Sequence, residues 1–441
     1  MINYMHSKYY FLLLLLFPIS LIGQDLVKNN SPYSRLGIGD LFNRNFTAMA
    51  GMGGLSAAFQ DSRQVNILNP ASLASLQMTS FEAGIYAKYA NLDDGTNTAE
   101  IWSGNLSYLS LGFITKNQLN AILDRKKSPW SWGMNFSLQP YSTVDYGIEL
   151  RNFISDSVEV VNNFSGSGGS YKFLWGNGVR YKDFSLGANL GFLFGNIENL
   201  QTTTQSDEQA YAIVDQRDIS LGGFVWNAGA QYKIQLSKTD EDGNKDNFPK
   251  SIVVGLYGNS ATSFNTNSDV LVYRVHARNP TDTINNTSDV EQSGRLPAEF
   301  SLGAIYQVQN KLKLGLNYSM ATWSNFEMEA KSDENLNDSY TISLGGAYTP
   351  DYISYNNYLK RVTYQFGLLY EQDPRLELKR TAVTLGGSFP IILPRQTTSY
   401  INLAVEAGQL KGTNTIDEWY VRMMMSFSLN DDSWFFKRKF N

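Results

Sequence analysis

Cysteine is absent from all 441 residues. That excludes disulfides, thiolate zinc sites and thiol nucleophiles. Only two histidines occur, His6 and His276, too few for a Ser-His-Asp triad or a histidine-based zinc site. Charged residues make up 17% of the chain, against about a quarter in soluble domains. The net charge of −5 gives no basic surplus for nucleic acid, whose binding rests on clustered Lys and Arg. No phosphate loop or dinucleotide fingerprint stands between a strand and a helix. The chain therefore reads as no enzyme, with no catalytic residues, no metal ligands and no cofactor.

Long apolar runs are almost missing too. The exception is Phe11 to Ile22, preceded by Lys8, interrupted by Pro18 and followed by Gly23 and Gln24. A spanning helix needs roughly 20 apolar residues, and this run falls short. A basic residue, a short apolar core and a small residue together describe a cleaved secretory signal over residues 1–23. If the mature chain enters a membrane, it does so as strands.

Aromatics are abundant, at 13% of residues, with 26 Tyr and 25 Phe. They recur in alternation with small or polar residues. In Lys360 to Gln372, the residues Val362, Tyr364, Phe366, Leu368 and Tyr370 share one face, opposite Thr363, Gln365, Gly367 and Glu371. Ile401, Leu403 and Val405 oppose Asn402, Ala404 and Glu406, and Met423, Met425 and Phe427 oppose Arg422 and Ser426. Strand side chains alternate between faces, so each segment is a strand with one apolar side. Many segments exceed the roughly 9–11 residues that cross the hydrocarbon when tilted. Helical patterns are scarce, and Trp130, Trp132, Tyr141, Tyr146, Trp323 and Trp419 fall at strand ends, where interfacial girdles sit.

Together these features predict an all-β transmembrane antiparallel barrel of about fourteen strands, an even number as in single-chain bacterial barrels. The barrel spans residues 78–430. Lys182-Asp183 and Gln309-Asn310 are tight turns, read as periplasmic; Asn117–Pro129 and Ser237–Lys250, with its charged TDEDGNKDN run, are longer connections on that side. Asn91–Asn97, Thr202–Glu208, Asn279–Asp289 and Glu327–Asp338 read as extracellular loops. The inward set, including Asn105, Ser107, Asn189, Asn317, Gln365, Asn402 and Glu406, is polar. Residues 431–441 form a basic-aromatic tail, read as periplasmic, that either rests on lipid headgroups or is a plain extension.

The segment 24–77 is of another kind, rich in Gly, Ala, Ser and Asn. Its Gly51-Met52-Gly53-Gly54, Ala57-Ala58, Asp61-Ser62 and Asn69-Pro70-Ala71-Ser72-Leu73 resemble the N-terminal hatch of the FadL-type long-chain fatty acid transporters and their toluene-transporting relatives. Ser31-Pro32-Tyr33-Ser34-Arg35-Leu36-Gly37-Ile38-Gly39-Asp40 is similar to a Bacteroidota branch of that family. Phe164-Ser165-Gly166-Ser167-Gly168-Gly169, Ser185-Leu186-Gly187 and Leu193-Phe194-Gly195 extend the likeness over most of the chain. The resemblance implies that residues 24–77 fold inside the barrel as a plug. It also implies that a hydrophobic molecule captured outside leaves sideways through a wall gap made by a kinked strand near the third.

By motif position Asn69, Pro70 and Ala71 are the expected gating element, although Asn-Pro also simply initiates turns. Gly166, Gly168 and Gly169 mark a strand kink, read as the lateral opening or else as a barrel corner. The polar inward set departs from a fatty-acid path, which calls for an apolar lining and a basic group. Two functions follow. One is passive transport of small hydrophobic compounds across a Gram-negative outer membrane, the partners being lipid and the transported molecule. The alternative is a non-transporting accessory barrel of a secretion or barrel-assembly complex, whose partners are other envelope proteins.

Overall fold

The computed structural model of the chain describes residues 31–434 apart from 43–44, 116–127, 156–157, 207–210, 238–247, 277–278, 332–334, 393–396 and 414. The expected signal over 1–23, most of the charged run after Ser237 and the tail beyond Trp434 lie outside the described residues.

One antiparallel sheet closes on itself. A two-residue strand, β1 (Asp40–Leu41), belongs to the interior segment. The wall begins with β2 (Thr79–Asp93), β3 (Thr98–Ile114), β4 (Trp130–Ser155), β5 (Val158–Tyr181), β6 (Phe184–Gln205) and β7 (Ala212–Gln235). The next wall position is shared by β8 (Lys250–Asn259) and β9 (Thr262–His276), and the one after by β10 (Asn279–Leu296) and β11 (Glu299–Val308). It continues through β12 (Leu312–Ala321), β14 (Ser339–Tyr348), β15 (Thr363–Gln372), β16 (Lys379–Ile392), β17 (Thr398–Lys411) and β18 (Asp417–Asp431). A two-residue β13 (Glu327–Met328) lies on β10. Counting each interrupted pair once gives fourteen wall positions, closed by β18 on β2 from Asp431↔Thr79 to Asp417↔Asp93.

Register explains the alternation. Phe366 pairs with Leu385, Leu385 with Val405, Val405 with Met423, and Met423 with Ala87. This row runs around the outer face and is open, with Leu385 62% and Met423 60% exposed. One residue along, Thr384, Glu406, Arg422 and Lys88 form the matching inward row. Large aliphatic and aromatic side chains left uncovered on the outside of a closed sheet belong in hydrocarbon. No helix among the described residues is long and apolar enough to cross a membrane, so the strands do the crossing.

The two ends differ. The base carries the turns at 182–183 and 309–311, the connection 349–362, and the start and finish of the closing strands. The crown carries the hairpin at 94–97 and the segments 322–338 and 373–378.

Several expectations are corrected. Asn279–Asp289 is strand, the first part of β10, paired with β9 through Arg274↔Asp282 and Val270↔Thr287. β4 is long, running 26 residues to Ser155 and so beyond the lipid. Above the lipid a strand needs no apolar face, so the signal that reveals strands is lost there. Of the expected girdle residues, Trp130, Trp132 and Trp419 do point outward, but Tyr141, Tyr146 and Trp323 are buried inside. A third open connection at the base, residues 349–362, was not expected.

Unheated protein in mild detergent should migrate faster on a gel than heated protein, because a closed ladder resists the denaturant until boiled. Identical mobility would contradict the closed wall.

Candidate functional site: the plug and the wall seam

The described residues of 31–77 lie inside the barrel, and most of them are buried. Their backbone is short of regular partners, so the wall supplies them. Asn317 Oδ1 accepts from Ala57 N at 3.0 Å, Asn189 Nδ2 donates to Ile67 O at 2.6 Å, and Asn227 Nδ2 donates to Leu68 O at 2.8 Å. Gln231 Nε2 donates to Ala57 O, and Thr384 Oγ1 bonds both Gly51 O and Gly53 N. The inward polar residues thus hold the plug, because buried backbone groups left unpaired cost several kcal/mol. Asn105 is the exception in the expected inward set. It shares the inner face by its pairing with Tyr86 but stands exposed.

The Asn69-Pro70-Ala71 element sits at the centre of this docking. Asn69 is fully buried and caps the 3-10 turn Pro70–Ser75, its Oδ1 accepting from Ala71 N at 3.2 Å. Its Nδ2 donates to Ala57 O at 2.6 Å within the plug and to Leu256 O at 3.2 Å on the wall. The wall beneath is stripped to glycine. A Cβ on Gly178, Gly187 or Gly229 would run into Pro70 or Asn69.

At the crown a buried arginine from the loop after β15 clamps the start of the plug. Arg375 Nη1 donates to Tyr33 O at 3.1 Å and to Asp40, and its Nε and Nη2 form a fork on Asp373 at 2.8 Å. Burial alone would raise the Asp373 carboxyl, but the guanidinium holds it below its usual range. Lower down, Asp61 and Lys313 pair at 2.9 Å. Burial would again raise Asp61, and the ammonium outweighs it and lowers the titration. Arg375 and Lys313 leave no local signal, since the plug groups they hold, Tyr33, Asp40 and Asp61, lie far away in the chain.

Between neighbouring wall strands the longest break among the described residues lies at β3 and β4. β3 and β4 pair only from Leu109↔Leu138 to Ile114↔Gly133. Above that, residues 98–108 of β3 pair only with β2, and residues 139–155 of β4 pair only with β5 on their wall side. A shorter break faces 223–227 of β7, beside the interruption at 260–261 and a cavity of about 50 Å³.

The β3–β4 seam lies partly at hydrocarbon depth. Outward Trp102 meets Tyr89 at 4.9 Å, and Tyr89 faces Trp419 at 6.4 Å, which marks the crown-side girdle. Leu106 and Gly104 sit below it, level with outward Ile85 and Ala87. A bulge at Ser107 turns β3 here, and Asn105 Oδ1 accepts the Leu106 amide at 2.7 Å.

The plug covers the other edge. Asp40 pairs with Thr143 and Leu41 with Ser142, and Phe42 N donates to Tyr141 O at 3.0 Å. Ser34 Oγ both donates to Asp145 O and accepts from Asp145 N. Gly39 makes the approach possible: its φ is +110° and a Cβ would meet Thr143 O at 2.7 Å. β1 therefore occupies the β4 edge that β3 has left. Behind it lies an apolar cluster of Ile38, Phe46, Tyr108, Val144, Tyr146 and Ile197, with Phe46 stacked on Tyr108 at 3.6 Å.

Gly166, Gly168 and Gly169 lie in β5, across β4 from the seam. Gly168 and Gly169 take φ of +111° and +145°, a region side chains avoid. They pair with Val144 and Thr143, next to the bulge at Tyr141, and on their far side with Ile197 and Asn196. β5 stays laddered on both sides here, so the glycines accompany the bend of β4 while the break itself is one strand away. Asn69 and these glycines are separate features: the first anchors the plug to β7 and β8, the second adjoin its β1.

A closed antiparallel barrel of fourteen wall positions with an outward apolar face is the fold of the FadL-type channels. The chain belongs to the BamG family, whose model matches residues 5–441. No curated protein sequence matches it. Among solved structures, the Pseudomonas putida toluene transporter TodX shares the fold at 17% identity and a TM-score of 0.52, over 89% of this chain and 99% of that one. The Ralstonia pickettii toluene transporter TbuX gives 12% and 0.50, over 92% and 99%. A Pseudomonas aeruginosa FadL homologue gives 13% and 0.50, over 88% and 98%.

Asn69→Ala removes a cap and the wall bonds together, and should weaken plug docking by about 1–3 kcal/mol. Amide exchange at residues 66–76 should rise roughly tenfold or more while the wall strands keep their protection. Unchanged exchange would assign the docking elsewhere.

Proposed function

We propose that this protein is an outer-membrane barrel that passes small hydrophobic compounds, admitted at the crown, sideways into lipid through the β3–β4 seam. The observation that carries the reading is the edge of β3 at hydrocarbon depth, unpaired among the described residues, facing a β4 edge that β1 covers and an apolar cluster behind β1. Leaving an apolar molecule in a watery channel gains nothing, whereas delivery into lipid gains about 0.8 kcal/mol per buried methylene. The FadL-type fold and the toluene transporters that share it support the same reading. In it the polar contacts below fix the plug as a floor. Movement is left to residues 31–42, which join the wall through few bonds, and the glycines at 166–169 let β4 lean away.

The native chain lacks cysteine, so Asn105→Cys gives a unique thiol at the seam. Coupling a bulky maleimide there should cut uptake of a monoaromatic hydrocarbon severalfold. The same label on Ile342→Cys, which is outward on β14, should leave uptake unchanged. If cells with and without the wild-type barrel take up the compound equally, the transport reading fails.

A second reading, an accessory subunit of an envelope complex, is favoured by the connection 349–362. There Ile353, Tyr355 and Leu359 are 72%, 97% and 61% exposed at the base. Under that reading mild detergent extraction recovers a stoichiometric partner, which is lost with Ile353→Ser/Tyr355→Ser. A clean monomer at every detergent strength would remove it.

A further inference from the structure

Among the described residues the base mouth is basic, although the whole chain carries −5. Two cavities flank the plug turn at Phe59–Arg63. The larger, about 360 Å³, is lined by Arg63, Lys311, Lys313 and Arg361 against a single acidic residue, Asp61. The other, about 290 Å³, is lined by Arg180, Lys182 and Lys233 against Asp183. Seven cations thus face two carboxylates, and among the described residues Lys313–Asp61 is the one ion pair these cations form. Arg63 is held by a neutral partner, its Nη1 donating to Tyr400 Oη at 3.0 Å, and Lys311 lies 5.2 Å over the Phe248 ring. The Nε atoms of Arg63 and Arg361 are buried without a hydrogen-bond partner.

We infer that this mouth docks an acidic polypeptide segment. Clustered cations repel one another, and their surplus is relieved by a counter-charge from outside the chain. Guanidinium forks fit carboxylates with two parallel bonds. The placement favours a polypeptide over the bilayer. Arg63 stands on the plug, Arg180 reaches plug Ser75 at 3.5 Å, and Lys313 reaches plug Asp61. These groups are inside the ring, with the wall between them and the outward-facing Val179 and Leu314 that meet lipid. A chain rising from below can place carboxylates in both cavities, one on each side of the Phe59–Arg63 turn. Exposed Ile353 and Tyr355 on the neighbouring connection give the same segment an apolar margin. This inference does not depend on transport.

The test uses the full-length barrel in neutral detergent and a fluorescein-labelled poly-glutamate peptide, followed by anisotropy. Saturable binding is expected, weakening steeply with salt and falling about tenfold or more in both Lys311→Gln/Arg361→Gln and Lys182→Gln/Lys233→Gln. Heat-modifiable mobility confirms that each variant is folded. Absence of binding, or binding that both pairs leave intact, overturns the proposal. So does a barrel that ignores the peptide but takes up anionic phosphatidylglycerol micelles, which would make the ligand a lipid. Binding of inorganic phosphate alone would reduce the site to a free-anion trap. If Asp240→Asn/Glu241→Gln/Asp242→Asn raises peptide affinity tenfold or more, the occupant is the chain's own acidic run, and the proposal also falls.

Discussion

In hydrocarbon each backbone N–H and C=O needs a partner within the protein, since lipid offers none. This demand organises the molecule. It forces the sheet to close from β18 to β2, and it sets the value of any place where closure fails. From β12 round to β3 the ladder runs without a long interruption. Buried ion pairs on the inner face of that arc, such as Lys88–Glu418 at 2.5 Å and Glu406 with Arg422 and Tyr420, tie neighbouring strands together. Breaking such a pair leaves a buried charge and costs several kcal/mol. That arc is the rigid part of the wall, and the β3–β4 seam begins at its edge.

The same demand explains the plug. An irregular segment inside a barrel carries many unpaired backbone groups, and inward Asn, Gln, Ser and Thr are the economical way to answer them. A polar lining therefore does not argue for a water-filled pore, nor does it exclude an apolar path above. The two are stacked: polar stitching at mid-depth, and an apolar cluster of Ile38, Val144, Tyr146 and Ile197 towards the crown. Glycine on the wall at Gly178, Gly187 and Gly229 lets the backbones approach.

What the sequence reveals follows the lipid. Strand number and facing were legible because hydrocarbon enforces alternation, and Phe366, Leu385, Val405 and Met423 lie outward as the period of two requires. Asn279–Asp289 was misread because β10 stands above the lipid, where that enforcement ends. Tyr141 and Tyr146 were placed in a girdle on residue type alone, since a bulge and a seam, both products of long-range register, turned them inward. The glycine string lies in β5, one strand away from the break in β3–β4 pairing. β1 left no trace, for two residues cannot show a period, and its partner lies about a hundred residues away in the chain. The basic mouth was hidden for a similar reason: its cations come singly from separate strands, the plug and one connection, and no local window contains more than two or three of them.

The seam and the plug strand form one coupled device. β4 loses β3 as its neighbour above Leu138 and regains part of the pairing from β1, Phe42 and Ser34. Each bond is worth about 1 kcal/mol net where water competes and more where it does not, so a handful holds the edge without locking it. The Arg375 fork to Asp373, with its reach to Tyr33 and Asp40, fixes the same plug residues from the crown side. The clamp and the β1–β4 pairing therefore hold the same stretch of the plug from two sides. Among the described residues the β3 edge has no such substitute beyond Asn105, whose side chain accepts from the Leu106 amide. Under the proposed transport reading, this open edge, with the apolar cluster of Ile38, Val144 and Tyr146 behind β1, is where a hydrophobic compound would pass from the interior to lipid.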